Sequence, residues 1–377
     1  MNCKSIVSKC LIENQGAFRI ALVELKCVDG RVSEIKEVSH ADNSCKGVLI
    51  PAFFNMHSHL GESTFRNING NDWTISKYLE YTERYNESLS KEQKASSWIE
   101  SANFSAKEMR CKGTIGFCAA RSVEIANAFD MLTLSGYPIM NSKKLASYKN
   151  AGINGFKEYW SKNKSDRNKI GVFLHSVYAN DIESFELAQE CIDIGAEFIT
   201  VHISEDEETT KLEKSVHGMS AIELLDKYGL LTEKTILVHG GCCSENELSI
   251  VKKRGAVISV CPISNSFLNT KMIDLGMLEK MGIPWCISTD GLGTGRTFSL
   301  IEQAKVAKDL YSGISAKKYW ESITRVPGRF FNNPLYTGNI EVGVQSIFLR
   351  TEYDGNDANE LIENIMRGKI GYKTIEV

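Results

Sequence analysis

Pro51-Ala52-Phe53-Phe54-Asn55-Met56-His57-Ser58-His59 is the stretch on which the reading of this chain turns. The apolar run from Gly47 to Phe54 has the texture of a buried strand, and it leads into two histidines separated by one residue. Successive side chains on a strand point to opposite faces, so residues i and i+2 project the same way. His57 and His59 therefore aim two imidazoles at one point just beyond a strand end, a chelating arrangement for a transition metal. One such pair is weak evidence alone. Its weight depends on whether other strand ends supply further ligands.

Working outward, seven more short β-branched or apolar runs read as core strands: Gly113 to Ala119, Tyr137 to Met140, Gly171 to His175, Glu197 to Ile203, Thr235 to His239, Ala256 to Val260 and Ile283 to Ser288. Such runs suit strands covered on both faces. Helical patterns separate several of them, most clearly Ile182 to Ile194, Ala221 to Tyr228 and Glu245 to Arg254, with Asp181 and Ser244 where N-caps belong. Eight strands with intervening helices predict an α/β fold, a (β/α)8 TIM-type barrel whose site lies at the C-terminal ends of the strands. Five polar residues fall at or just after such ends: His57 and His59, His202, His239 and Asp290. Three imidazoles and one carboxylate suit a borderline divalent ion such as zinc.

Before the barrel, Ser5 to Ile12, Phe18 to Lys26 and Arg31 to Val38 read as antiparallel strands joined by turns at Asn14-Gln15-Gly16 and Val28-Asp29-Gly30. After it, Ser346 to Thr351 and Lys373 to Val377 read as strands, with a helix between them. The expected organisation is a small β-sandwich from residues 1–49 plus 330–377, and a metal-dependent catalytic barrel from 50–329. The long polar and aromatic segment Gly61 to Lys94 is expected to cover or shape the barrel mouth.

Composition narrows the class. With 42% hydrophobic and 24% charged residues, the 377-residue chain is ordinary for a globular protein. A net charge of -3 argues against a general nucleic-acid-binding surface. No run of 18 apolar residues marks a membrane span, and Met1 to Cys10 lacks the apolar core of a signal peptide, so a cytoplasmic location is expected. The eleven cysteines include no C-x-x-C. That disfavours a zinc ribbon or a thioredoxin-type motif and suggests reduced, mostly buried thiols.

Together with Pro51 to His59, the segments Val201-His202-Ile203-Ser204-Glu205, Leu237-Val238-His239-Gly240, Cys261-Pro262-Ile263-Ser264-Asn265 and Ser288-Thr289-Asp290-Gly291 carry a resemblance. In order and spacing they resemble the motifs of the amidohydrolase superfamily, in its branch of guanine, cytosine and adenosyl-type deaminases and chlorohydrolases. The resemblance implies that His57, His59, His202 and Asp290 hold one metal ion, zinc with iron(II) as the alternative, and that His239 sits against its water. It implies a proton-shuttling role for Glu205. Phe173-Leu174-His175-Ser176 stands where binuclear relatives carry a lysine, so a single ion is expected and His175 becomes a candidate substrate contact. Arg66, Asn67 and Trp73 follow the HxH strand where relatives often place substrate contacts, and Glu83 falls where adenosyl-type deaminases hold a ribose. A homodimer is a family expectation only. Two departures stand out: Ala52 replaces a usual glycine, and Gly291-Leu292-Gly293-Thr294-Gly295 follows Asp290.

The chemistry also has reasons independent of the family. Water is a poor nucleophile near neutral pH, and a divalent metal lowers its pKa from 15.7 to about 7. Asp290 can accept the water's proton. His239 can stabilise the attacking oxygen as charge develops. The ring under attack needs a proton on nitrogen, which Glu205 can supply. The expected activity is release of ammonia from an amino-substituted N-heterocycle, with a purine or purine nucleoside derivative leading. The alternative is hydrolysis of a cyclic amide or of a ring carbon–halogen bond by the same activated water.

Overall fold

The computed structural model of the protein describes residues 3–40, 46–140 and 152–377. Its strands in chain order are β1 (Cys3–Asn14), β2 (Ala17–Val28), β3 (Arg31–Glu37), β4 (Val48–Pro51), β5 (Phe53–Asn55), β6 (Thr114–Ala120), β7 (Leu132–Ile139), β8 (Asn168–Ser176), β9 (Ile199–Ile203), β10 (Thr235–His239), β11 (Val257–Val260), β12 (Trp285–Ile287), β13 (Ile347–Thr351) and β14 (Tyr372–Glu376). Strands β5 to β12 form one sheet in unbroken sequence order. The pairings from β6 to β12 are parallel, and helices fill most of the connections. Beyond the last strand, the Asp290 N–H donates to the His57 carbonyl at 3.3 Å and links the end of the sheet to its beginning. The (β/α)8 expectation holds, as do the helices Ile182–Ile194 and Glu245–Arg254. Their first turns are held by the Asp181 and Ser244 side chains, which accept from Ser184 N–H and Glu247 N–H.

By its contacts the chain divides into two compact units. One comprises Met1–Asn55, Glu108–Ile115 and Ser299–Val377; the other comprises Met56–Lys107 and Gly116–Phe298. The first holds a six-stranded mixed sheet of order β14-β13-β4-β1-β2-β3. Both of its expected hairpin turns are present. Gln15 and Gly16, then Asp29 and Gly30, all take positive φ, as two-residue type I′ turns require. Along β2, buried Ala21, Val23, Leu25 and Cys27 alternate with more exposed residues. They pack with Cys10, Leu49, Val344 and Phe348 in one apolar core. The C-terminal segment pairs β13 with β4 and β14 with β13, so both chain ends share this sheet.

One strand expectation is corrected. The run Gly47 to His57 is two strands: β4 pairs with β1 and β13 in the mixed sheet, and only β5 joins the barrel. Pro51 has no N–H for a continuing ladder, and the Phe53 N–H instead finds the Gly113 carbonyl at 2.9 Å. Every residue of both strands is buried, so the alternation that would reveal a change of sheet is missing. Similarly, β7 begins at Leu132, ahead of the expected Tyr137. After the HxH pair, a 3-10 turn, Leu60–Phe65, leads to helix Ile75–Glu87. There Phe65, Ile68, Ile75 and Tyr78 bury one another with Leu268, and Trp73 packs against the cluster.

Candidate metal centre

Residues from the first, fifth and last barrel strands converge at their C-terminal ends. His202 Nε2 lies 3.1 Å from His57 Nε2 and 3.2 Å from His59 Nε2. Asp290 Oδ1 lies 3.4 Å from His57 Nε2 and 3.3 Å from His59 Nε2. All four ligand atoms fall within 4.8 Å of one another. Tetrahedral bonds of zinc length place neighbouring ligand atoms about 3.3 Å apart, so the donor set fits a small divalent cation. The chemistry fits as well. His202 Nδ1 donates to the His175 carbonyl, which leaves a lone pair on Nε2, aimed at two other imidazole nitrogens. A shared cation relieves that opposition.

The electrostatics keep these groups in ligand form. Burial pushes His57 down to about 4 and, helped by the neighbouring imidazoles, holds His202 well below its ordinary value, so both are neutral at pH 7. Burial opposes ionisation of Asp290, but the hydrogen bond from His57 and the field of the other histidines hold its carboxyl well below the usual range. The other carboxylate oxygen, Oδ2, accepts from Ser264 Oγ at 2.6 Å and from Thr294 Oγ1 at 3.0 Å, which turns Oδ1 toward the histidines.

Glu205 and His239 stand beside the cluster, with His239 Nε2 3.5 Å from Glu205 Oε1. The His239 and His202 rings stack with centroids 5.5 Å apart. Asn265 Nδ2 lies 3.5 Å from His239 Nδ1; a donation there leaves the ring proton on Nε2, facing the site. Burial, followed by the charges of Asp290 and Asp206, raises the Glu205 carboxyl well above its ordinary value. Burial thus favours the protonated form of this carboxyl. Three positions at these strand ends take left-handed backbone: Ser204 at φ 41°, His239 at 71° and Asp290 at 61°. Such conformations cost about 1–3 kcal/mol each and persist where surrounding contacts impose them.

His175 ends β8 with its ring 4.9 Å from that of His202 and 6.4 Å from that of His59. Burial and the charges of His59 and His57 push it down to about 3. Trp73 stacks on Phe267 and meets Tyr78 and Tyr81 edge-on. Arg66 lies over the Phe104 ring. Glu83 is half-buried on helix Ile75–Glu87. Cys242 and Cys243 stay outside the ligand cluster among the described residues, and burial raises both thiols.

Sequence reasoning missed Glu62. Three residues past His59, it accepts from Tyr78 Oη at 2.9 Å. Burial pushes its carboxyl up to about 7; the His59 charge opposes this, and the charges of Asp290 and Glu205 add to it. The only signal available was a carboxylate on the turn directly after the HxH pair. Ser264 and Asn265 were visible as part of a motif, but not as the groups that orient Asp290 and His239.

Fold and site together define a (β/α)8 barrel with a candidate metal cluster at its C-terminal strand ends. The chain belongs to the amidohydrolase family: residues 48–358 match the sequence profile described as Amidohydrolase family. It is 24% identical over 307 residues to a 5-methylthioadenosine/S-adenosylhomocysteine deaminase of Thermococcus sibiricus, covering 78% of this chain and 72% of that one. Among solved structures it is similar to guanine deaminase from C. acetobutylicum with bound guanine, at TM-score 0.78 and 18% identity over 98% and 96% of the two chains. It is also similar to the zinc complex of atrazine chlorohydrolase TrzN from Arthrobacter aurescens TC1, at TM-score 0.82 and 14% identity over 97% and 91%. No helix among the described residues is long and apolar enough to cross a membrane.

Proposed function

We propose that the protein is a metal-dependent aminohydrolase that removes an exocyclic amino group, as ammonia, from a nitrogen heterocycle of the purine or purine-nucleoside class. The observation that carries this reading is the placement of a buried carboxyl, Glu205, and of the His239 ring 3.5 Å from it beside four convergent ligand atoms. Simple binding of a heterocycle does not call for a proton-carrying acid next to a metal cluster. The name of the Thermococcus relative supports amino-group removal from an adenosine-type substrate.

His57, His59, His202 and Asp290 would hold one divalent ion, zinc in the first instance. When bound, it would supply a water acidified toward about pH 7. Asp290 Oδ1 takes the proton from the attacking water, with Oδ2 held by Ser264 and Thr294. His239 Nε2–H donates to the oxygen as negative charge grows on it. Glu205 delivers its proton to the ring nitrogen, which accepts the electron pair displaced by the attack. The proton taken up by Asp290 passes to the departing amine, the carbon–nitrogen bond breaks, and the hydroxyl proton left on the carbon returns to Glu205, so that a ring carbonyl and ammonia remain and both carboxyls regain their starting states. His175 and Trp73 are proposed to contact the heterocycle, and Glu83 a ribose.

The test is ammonia release by zinc-loaded protein across aminopurines, their nucleosides, pterins and aminopyrimidines, with halogenated triazines and cyclic amides alongside. Turnover of an aminopurine with one ammonia per oxo product is expected. Halide release or ring opening without ammonia would replace this reading by the alternative hydrolase, and inertness toward every member would end it.

A further inference from the structure

The compact unit that contains the mixed sheet holds a cavity of about 370 Å3 that none of the chemistry above uses. Its size falls at the lower end of small-ligand pockets. Arg325, Arg329, Asn332, Thr337, Asn339 and Glu341 are among the residues that line it. Arg325 and Arg329 stand four residues apart on the helix Arg325–Phe331, so they share one face, and like charges at that spacing work against a helix. Burial holds the Arg325 guanidinium below its ordinary value; the Arg329 charge adds to this and the Glu341 charge opposes it. All three charged groups are therefore near enough to act on one another across the cavity.

The walls are fixed before any ligand arrives. A Cβ on Gly328 would lie 2.1 Å from the Thr337 carbonyl oxygen, and one on Gly338 would lie 2.3 Å from the Thr324 carbonyl oxygen. The helix and the segment that follows it thus pack backbone against backbone. Between them, the Leu335 N–H donates to Asn333 Oδ1 at 2.9 Å and the Gln345 N–H donates to the Leu335 carbonyl at 3.0 Å. Tyr336, only 3% exposed, donates to the Ala52 carbonyl at 3.1 Å. A cavity held in this way costs little ordering when it is filled.

The charges indicate what fills it. Arg325 is half-buried and already paired with Glu13 near the end of β1. Arg329 and Glu341 are both exposed, and among the described residues neither has an ion-pair partner. One cation and one acid therefore remain uncommitted on the same cavity. A dianion would match one of these groups and be repelled by the other. A carboxylate and an ammonium carried on one small molecule match both, and a guanidinium fork suits the planar carboxylate. We infer that this cavity binds a small zwitterion of the α-amino-acid class, its carboxylate received by Arg329 beside Arg325 and its ammonium by Glu341. The inference is independent of the aminohydrolase reading.

The experiment uses zinc-loaded full-length protein at low ionic strength, where exposed charges are least screened. Thermal shift across the twenty common amino acids selects the tightest, and calorimetry then compares it with acetate and inorganic phosphate. One amino acid should bind at one equivalent. Arg329→Gln and Glu341→Gln should each weaken it about tenfold to hundredfold, and Arg329→Lys, which keeps the charge without the fork, should recover part of the loss. Both side chains are exposed, so neither substitution opens a hole in the core. Binding at the zinc would be indifferent to these variants. No binding by any amino acid, or an affinity that either glutamine variant leaves within twofold of the wild type, would overturn the proposal. So would phosphate or acetate binding more tightly than every amino acid, since a simple oxyanion site has no use for Glu341.

Discussion

His202 shows how the smallest scale prepares the chemistry. One ring nitrogen is committed to the His175 carbonyl, so the other can face only the cluster. Asp290 is held likewise, one oxygen bound by two hydroxyls and the other turned to the histidines. Removing a proposed ligand and removing the proposed proton carrier should therefore have different signatures. His57→Ala or Asp290→Ala should purify with well under one equivalent of metal by elemental analysis, and without activity. Glu205→Gln should keep its metal and lose about 10²–10⁴-fold in kcat, the usual share of a positioned acid. Glu205 retains no place in the mechanism if the glutamine variant turns over at the wild-type rate.

Among elements, the loops after β9 and β10 bear the constraint. Ser204, in left-handed backbone beside Glu205, has its N–H and hydroxyl bound by Glu213 at 3.2 and 3.3 Å. Glu213 is buried, and burial pushes its carboxyl up to about 7 despite those hydrogen bonds. Its folded value thus lies above its unfolded one. Below about pH 4.5 the group is protonated in both states and costs nothing. As pH rises through 7, the folded state must ionise a buried carboxyl, a loss of up to about 3 kcal/mol. Glu213→Gln should flatten this loss, so urea unfolding at pH 5 and pH 7.5 should differ less in the variant than in the wild type. An equal difference in both proteins would refute the assignment. The β10 loop supplies a steric counterpart. A Cβ on Gly241 would lie 1.8 Å from the Lys271 carbonyl oxygen, a backbone atom that cannot rotate away. Gly241→Ala should lower unfolding free energy by about 1–3 kcal/mol, read by denaturant titration.

At the scale of the whole molecule, the ligands belong to strands at opposite ends of the barrel sequence, so an ion that binds only the folded chain is also a folding ligand. Chelation should lower Tm, and added zinc should raise it progressively, with about 2.7 kcal/mol gained at a free concentration of one hundred times Kd. A melting curve indifferent to chelator and zinc would mean that the cluster does not hold metal in solution. The family profile likewise spans the whole barrel, from β4 to the first residue of the helix Ala358–Met366.

From the sequence alone came the barrel, the caps at Asp181 and Ser244, and the meeting of His57, His59, His202 and Asp290. These were legible because each rests on a local rule: alternation along a strand, apolar runs of strand length, and polar residues where such runs stop. The tertiary structure alone decided the division of one apolar run between two sheets, because residues buried on both faces carry no period. It alone also joined Glu62 and Tyr78 with Gly291 and Gly293, where an added Cβ would lie 2.2 Å from Glu62 Oε2 and 1.9 Å from Tyr78 Oη. A glycine kept for space looks in sequence like any other glycine, and the side chains that fill that space come from a turn and a helix at the far end of the barrel's chain.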